Sequence, residues 1–385
     1  MSFLLNELLF VVMALVFFLL LLEIVFRVVY RRRHNRPYHV AIKFPWDRSY
    51  VVSHPFLSFS YKENEVIDHN QKLPYALSPN KYYSFKNPLK LNNEGHFGAD
   101  FFLEKPVDSL RIACIGSSGT ANNIADEKRD YCYPDMLQEK LREIPELRRC
   151  YSSIDVYNCG IGGWTTVDVF INFAITILHY KPDYVIFYQG LNDLPLYLMD
   201  DFRFDYRHGR RNLGERLHII KRGYYPPKLR FWHSYEFVKD RLLGTGNVRN
   251  EVLAAVERRP PDFRKAYRPL VTEEMALRNL LVLARHHGVK PILSSYVFYL
   301  HNGNERNHKL HEGVQLENAM YRRLAGEFAA PFVDQDALMP RDPRFFVDAV
   351  HFTPEGMERL AEHFAQAVIA DLTQSTTIAM EKAQP

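Results

Sequence analysis

The sequence carries no strong excess of charge of either sign. Its 385 residues have a formal net charge of +4, which is small for a chain of this length. A global basic field of the kind that attracts nucleic acid is lacking, so we expect no nucleic-acid partner. Internal repeats and low-complexity tracts are also lacking, and the length allows one large domain or two ordinary ones.

Cysteines are few and show no metal-binding pattern. The sequence has four, Cys114, Cys132, Cys150 and Cys159, without Cys-x-x-Cys spacing and without matching histidine pairs. This excludes the usual zinc-site signatures, and we expect no metal. We expect buried thiols, while one or two disulfides stay open for an exported domain.

A long apolar run is present near the N-terminus. Leu8 to Leu22 is wholly apolar, and residues 24–29 extend the run to roughly the 20 residues that cross a bilayer. Glu23 and Arg27 interrupt it four residues apart, and we expect them to pair on one helical face. No small-residue cleavage site follows, so the run predicts an uncleaved single-pass membrane anchor and not a removable signal peptide.

Arginines cluster at the C-terminal side of Leu8–Leu22, and the only positive charge on the N-terminal side is the terminal amine. They are Arg27, Arg31, Arg32, Arg33 and Arg36. Positive charge on one flank favours a cytosolic location for that flank, and therefore for the domain that follows.

The pattern of the chain changes near residue 109, where apolar runs begin to alternate with helical segments. The runs are LRIACIG, SIDVYN, DYVIFYQG, KPILSSYVF and APFVD. The helical segments fall at about residues 134–144, 165–180, 273–287, 311–328 and 354–373. This alternation predicts an α/β/α sandwich of three layers with a mainly parallel five-stranded sheet.

We therefore predict four regions along the chain. They are an anchor over 1–33, an irregular extension of loops and short strands over 34–108, an α/β domain over 109–375 with an insertion at about 197–268, and a flexible tail over 376–385.

Small, polar or ionisable residues follow the predicted strands. GSSGT (116–120) follows the first run, NCGIGGWTT (158–166) the second and GLND (190–193) the third, and DAVH (348–351) comes at some distance after the fifth. Ligands bind at the carboxyl ends of strands in such sheets, so these clusters predict a site along one rim.

These clusters contain the groups that acyl transfer needs. A serine hydroxyl needs a base, and a histidine base needs an acid to orient its ring. Asp348 stands three residues before His351, so both can meet on one turn, and Thr353 and Pro354 look like the cap and first residue of a helix. The N–H of Ser118, a glycine N–H of the second cluster and an asparagine amide of the third are candidate donors to an oxyanion.

Taken in this chain order, the motifs resemble the SGNH (GDSL-like) hydrolase family over residues 110–372. The resemblance implies a serine nucleophile at Ser118, a backbone donor at Gly163, a side-chain donor at Asn192, and Asp348 with His351 as the terminal Asp-x-x-His pair. It also implies a flavodoxin-like fold, no metal or organic cofactor, and an O-acetylated carbohydrate or a lipid ester as substrate. Members with N-terminal hydrophobic segments mostly act outside the cytosol, which opposes the arginine asymmetry and leaves the side of the membrane open.

One position departs from the family pattern. Gly-Asp-Ser reads Gly116-Ser117-Ser118 here, so Ser117 stays an alternative nucleophile. We favour Ser118 because Thr120 then completes the family's Ser-x-Thr pattern. The Gly-x-Ser-x-Gly elbow of ordinary α/β-hydrolases is absent, since position 120 is threonine.

Two other functions remain open, as does the oligomeric state. An acyltransferase would use the same residues and pass the acyl group to a sugar hydroxyl, and a catalytically silent scaffold would bind a glycan or a partner. The insertion is rich in basic residues, which suit an anionic glycan, a lipid headgroup or plain solvent. They are Arg207, Arg210, Arg211, Arg216, Lys221, Arg222, Lys228 and Arg230.

Overall fold

Backbone contacts divide the chain into two units, residues 1–49 with 213–260 and residues 50–212 with 261–385. The computed structural model describes residues 2–34, 50–52, 54–67, 72–75, 78–84, 89–121, 124–125, 130–206, 208–209, 261–301 and 303–382. The basic residues of the predicted insertion named above lie outside the described residues.

In the first unit the structure describes one helix, α1 (Ser2–His34). Its segment Asn6–Arg32 has a mean hydropathy of 3.1 and is long and apolar enough to cross a membrane. The predicted ion pair is confirmed, because Arg27 Nε donates to Glu23 Oε1 at 2.7 Å. Pairing lowers the cost of placing the two charges within an apolar helix.

The second unit is built on five strands and the helices between them. The strands are β1 (Ser109–Gly116), β2 (Ser153–Gly160), β3 (Tyr184–Tyr188), β4 (Lys290–Ser294) and β5 (Phe332–Val333). The helices are α2 (Ser118–Ala121), α3 (Tyr133–Glu143), α4 (Pro145–Cys150), α5 (Thr166–Ile175), α6 (Leu194–Tyr197), α7 (Val271–His286), α8 (Glu305–Glu327), α9 (Gln335–Leu338) and α10 (Pro354–Lys382). Short 3-10 helices add Ile177–Tyr180 and Pro343–Phe345.

All five strands are parallel, in the order β2-β1-β3-β4-β5. The chain first crosses from β1 to β2 and then reverses direction to reach β3. Right-handed crossovers in opposite directions put helices on opposite faces, and α3 packs with α10 while α5 packs with α7. The predicted α/β/α sandwich with a parallel five-stranded sheet is confirmed, and this flavodoxin-like order puts the ligand crevice between β1 and β3.

Residues 50–108 contribute short antiparallel strand pairs. They are Val51–Val52 with Ser60–Tyr61, Val66–Ile67 with Leu89–Lys90, and Lys72–Tyr75 with Ser78–Ser84. Side chains between residues 57 and 61 are mostly buried, so this part of the extension packs within the second unit.

Helix α10 extends further than the helical segment that the sequence predicts. It continues to Lys382, whereas the pattern places the end of this segment at about residue 373. Residues 374–382 lack glycine and proline, the two residues that disfavour a helix most strongly.

Candidate active site

The first three strands end at the same level of the sheet. Gly116 at the end of β1 is paired with Gly160 of β2 and with Tyr188 of β3. A Cβ atom on Gly160 would lie 2.4 Å from the backbone nitrogen of Ala121, so only glycine lets α2 lie this close to β2. The loops after these strands therefore begin side by side on the predicted rim.

The two candidate serines differ in accessibility. Ser117 is fully buried, and its hydroxyl has no hydrogen-bond partner among the described residues. Ser118, the first residue of α2, is only half-buried. A nucleophile must touch its substrate, so accessibility favours Ser118 over Ser117. Thr120 has a structural role, because its hydroxyl donates to the Tyr188 carbonyl at 2.9 Å.

The loop after β2 carries Gly163 in the left-handed region, with φ of +92°, where glycine is not strained. Its neighbour Gly162 lies beside the nucleophile candidate, since a Cβ atom there would be 3.7 Å from Ser118 Cβ. Gly162 N–H donates to the Tyr61 hydroxyl at 3.1 Å, and Trp164 Nε1 donates to the Phe59 carbonyl at 2.9 Å. The N-terminal extension thus holds this loop directly.

A buried carboxylate strengthens that connection. Asp168 caps α5 by accepting from the backbone N–H and the hydroxyl of Thr165, at 3.1 and 2.8 Å. It also accepts from the backbone N–H and the hydroxyl of Ser58, both at 2.9 Å. One carboxylate therefore joins the extension to the start of the helix that follows the Gly163 loop.

Asn192 connects the loop after β3 to the Gly163 loop. Its Nδ2 donates to the Trp164 carbonyl at 3.0 Å, and the residue is 8% exposed. A side-chain amide has two N–H groups, so the second remains a donor for an oxyanion. Asp193 braces the same loop by accepting from the backbone N–H and the hydroxyl of Thr166 at 2.9 and 3.2 Å.

The Asp348 and His351 pair forms within one turn. His351 Nδ1 lies 2.7 Å from Asp348 Oδ2, while Asp348 Oδ1 accepts the backbone N–H groups of Val350 and His351 at 2.8 Å each. Burial opposes ionisation of Asp348, but the hydrogen bonds and charge of His351 outweigh it, and the pKa of Asp348 lies below its usual value. The carboxylate stays ionised and fixes His351 with Nε2 available as a base.

The predicted cap after this turn is confirmed. Gly356 N–H donates to the Thr353 hydroxyl at 3.3 Å, and Met357 N–H donates to the Thr353 carbonyl at 2.9 Å. Thr353 also donates its hydroxyl to the Arg344 carbonyl at 2.7 Å. The start of α10 therefore anchors the turn that carries His351.

The structure brings the predicted residues together in two groups. Asp348 and His351 share a hydrogen bond, and Asn192 is tied to the Gly163 loop beside Ser118. Ser118 and His351, both described, are not hydrogen-bonded to each other. Nucleophile and base often reach hydrogen-bond distance only when substrate binds.

Sequence reasoning did not find the residues that hold the loops. Phe59 and Tyr61 contact the Gly163 loop, Ser58 donates to Asp168 in α5, and Glu317 Oε2 accepts the Leu191 N–H at 3.0 Å. These partners lie about a hundred residues away along the chain, and no local pattern marks them.

The four cysteines are free thiols, of which only Cys150 is exposed. Burial raises the pKa of Cys114, Cys132 and Cys159, so these thiols stay protonated and inert. The disulfides that the sequence left open are not formed. Over the described residues, no three histidine, cysteine, aspartate or glutamate side chains are placed to hold a metal ion.

Several solved structures resemble this chain at low identity. A GDSL-like lipase from Bacteroides thetaiotaomicron is 16% identical, with 68% of this chain and 88% of that chain covered and a TM-score of 0.38. A lipase/acylhydrolase from Enterococcus faecalis is 18% identical (67% and 95% covered, TM-score 0.37). An acetylxylan esterase from Geobacillus stearothermophilus is 16% identical (69% and 96% covered, TM-score 0.40). No curated protein matches the sequence.

The sequence itself matches one protein-family model over more than half of its length. The matched residues, 114–359, run from β1 into α10 and include all the candidate site residues. The model describes the GDSL-like lipase/acylhydrolase family. The chain therefore belongs to this family and is a hydrolase of ester bonds.

Proposed function

We propose that the protein is a membrane-anchored serine esterase in which Ser118 is the nucleophile and His351 its base. The observation that carries this proposal is the Asp348 and His351 pair, which holds an oriented, partly exposed imidazole on the family's terminal motif. Ser118 is the accessible serine of its cluster, and Gly163 and Asn192 lie on loops that are tied together at the rim.

The proposed reaction has two steps. Ser118 Oγ attacks the ester carbonyl carbon while His351 Nε2 takes the hydroxyl proton. The N–H groups of Ser118 and Gly163 and the amide of Asn192 receive the negative charge that develops on the carbonyl oxygen. The C–O bond to the alcohol then breaks, and His351 returns the proton to the departing alcohol.

Water, activated by the same histidine, then cleaves the acyl-serine ester. The free acid leaves, and Ser118 regains its proton from His351. The family resemblance supports an O-acetylated carbohydrate or a lipid ester as substrate. A sugar hydroxyl in place of this water would make the enzyme an acyltransferase.

We test the assignment by labelling the full chain, in detergent, with a fluorophosphonate probe. Ser118→Ala and His351→Ala should lose labelling, while Ser117→Ala should keep it. Product analysis with and without a sugar acceptor distinguishes hydrolysis from transfer. If the folded wild type shows no labelling, the scaffold interpretation replaces the esterase.

We further propose that α1 is an uncleaved single-pass anchor and that the domain limits predicted above apply. The length and apolar character of α1 support its role as a membrane anchor. A C-terminal tag cleaved by external protease on intact cells would place the catalytic domain outside, as the family resemblance favours. A protected tag would place it in the cytosol, as the arginine cluster favours.

A further inference from the structure

The loop that carries Asn192 turns through an uncommon backbone conformation. Asn192 N–H donates to the Gly190 carbonyl at 2.9 Å, and Leu191 between them has φ of +73°. This is the γ-turn with positive φ at its central residue, a rare and strained form for a residue with a side chain. Such a turn persists only where contacts with the surrounding structure stabilise it. Its backbone conformation sets the position of the Asn192 Cα atom and therefore the direction of the Asn192 side chain.

Glu317 stabilises the turn through a hydrogen bond from outside it. The turn does not use the N–H of Leu191 itself, and Glu317 Oε2 accepts it at 3.0 Å. Glu317 lies in the middle of α8 and is fully buried. Its carboxylate therefore bonds the central residue of the turn from the interior of the fold, while Leu191 itself is half-buried.

Helix α8 is itself held firmly at this place. Gly313, one turn before Glu317, packs so closely that a Cβ atom there would lie 2.7 Å from Leu194 Cδ1. Asn318 pairs with the backbone of Tyr296, accepting from its N–H at 2.7 Å and donating to its carbonyl at 2.9 Å. The carboxylate is thus presented from a rigid element and not from a mobile loop.

A carboxyl group in this place is costly. Burial raises the pKa of Glu317 and of its neighbours Glu273 and Asp193, and Glu317 Oε1 has no hydrogen-bond partner among the described residues. A buried polar side chain with an unsatisfied atom destabilises a fold. A costly carboxyl group that bonds the oxyanion loop therefore points to a role in the loop's geometry.

We propose that Glu317 is a positioning residue of the esterase site, which holds the Gly190–Asn192 turn so that the Asn192 amide meets the oxyanion. This inference rests on the proposed function. Glu317 does not touch the substrate, and it acts through Asn192.

The test compares Glu317→Met, which removes the acceptor, with Glu317→Gln, which keeps it, using p-nitrophenyl acetate and the full chain in detergent. A small displacement of a catalytic donor should lower kcat by about 30-fold in Glu317→Met, with KM changed less than about twofold because ground-state binding is untouched. The kcat of Glu317→Gln should be at least about tenfold higher than that of Glu317→Met, because glutamine keeps the hydrogen-bond acceptor. Glu312→Met, an exposed position on the same helix, is the matched control.

A double-mutant cycle tests whether Glu317 acts through Asn192. In an Asn192→Ala background, Glu317→Met should cost less than about threefold in kcat, because the group it positions is already gone. Hydrogen exchange gives a second readout, since the Leu191 amide should be protected in wild type and Glu317→Gln and exchange faster in Glu317→Met.

Three outcomes would overturn the inference: a folded Glu317→Met with kcat near wild type, an equal loss in both backgrounds, or unchanged exchange at Leu191. If Glu317→Met does not fold, a folded Glu317→Gln that loses as much kcat as Asn192→Ala overturns it as well. Activity that survives Ser118→Ala is a different result, because it refutes the proposed function and not the role of Glu317 in the turn.

Discussion

The two parts of the candidate site are held in different ways. Asp348 and His351 form a local unit, in which a single turn supplies the side-chain hydrogen bond between them and both backbone hydrogen bonds to Asp348. The loops with Gly163 and Asn192 depend on distant partners, since Tyr61 is 101 residues from Gly162 and Glu317 is 126 residues from Leu191. We therefore expect the acid-base pair to tolerate changes elsewhere, and the oxyanion loops to be sensitive to them.

Asp348→Asn breaks the local unit most directly. Asparagine keeps an oxygen for the two backbone N–H groups but loses the charge that orients His351. We expect kcat to fall about 10³–10⁴-fold, with little change in the melting temperature because the turn is preserved. Steady-state kinetics and thermal unfolding measure both quantities, and a loss of kcat below about tenfold would contradict the assigned role.

Asn192→Ala breaks the oxyanion part without touching the acid-base pair. Loss of one donor should lower kcat about 10²–10³-fold, while the pH profile keeps its shape. Gln189→Leu is a matched control, because Gln189 Nε2 also donates to the Trp164 carbonyl, at 3.2 Å. The assignment of Asn192 fails if both substitutions reduce kcat equally.

Asp193→Asn tests the loop that carries Asn192 through the stability of the fold. Burial raises the pKa of Asp193 to about 6, with the bonds from Thr166 opposing and Asp168 adding to the shift. The folded chain binds a proton on the Asp193 carboxyl group more tightly than the unfolded chain does. The stability that this proton contributes is therefore complete below about pH 4 and is lost as the pH rises through about 6.

Complete loss of this contribution corresponds to about 3 kcal/mol, and part of it is already lost at pH 4.5. Relative to wild type, Asp193→Asn should therefore gain about 2 kcal/mol in free energy of unfolding between pH 4.5 and pH 7. Urea unfolding at both pH values measures this gain. A difference that does not change with pH would show that Asp193 does not bind the proton in the folded state.

Ser58→Ala tests the smallest effect, the link between the extension and the Gly163 loop. Its hydroxyl donates to buried Asp168 at 2.9 Å, and we expect a loss of about 1–2 kcal/mol in free energy of unfolding with a lower kcat. Ser60→Ala, two residues away, should change stability by less than about 0.5 kcal/mol. If Ser58→Ala and Ser60→Ala change the free energy of unfolding equally, the hydrogen bond between Ser58 and Asp168 does not stabilise the fold.

Short-range patterns predicted much of this protein. The alternating runs predicted five parallel strands, and the clusters after the first three runs lie on loops that begin side by side at the ends of their strands. The Asp348 and His351 turn, the Thr353 cap and the pairing of Arg27 with Glu23 were also predicted correctly. The end of α10 was predicted too early, because no residue there marks where a helix of good formers must end.

Residues a few positions apart were enough to predict the apolar helix, the alternation of strands and helices, and the local turn that pairs an acid with a base. The folded chain was needed to show that Ser117 is buried and Ser118 accessible, that the extension holds the Gly163 loop, and that Glu317 bonds the strained turn that ends at Asn192. Such contacts depend on which distant segments the sheet brings side by side, and no periodicity along the chain records that pairing.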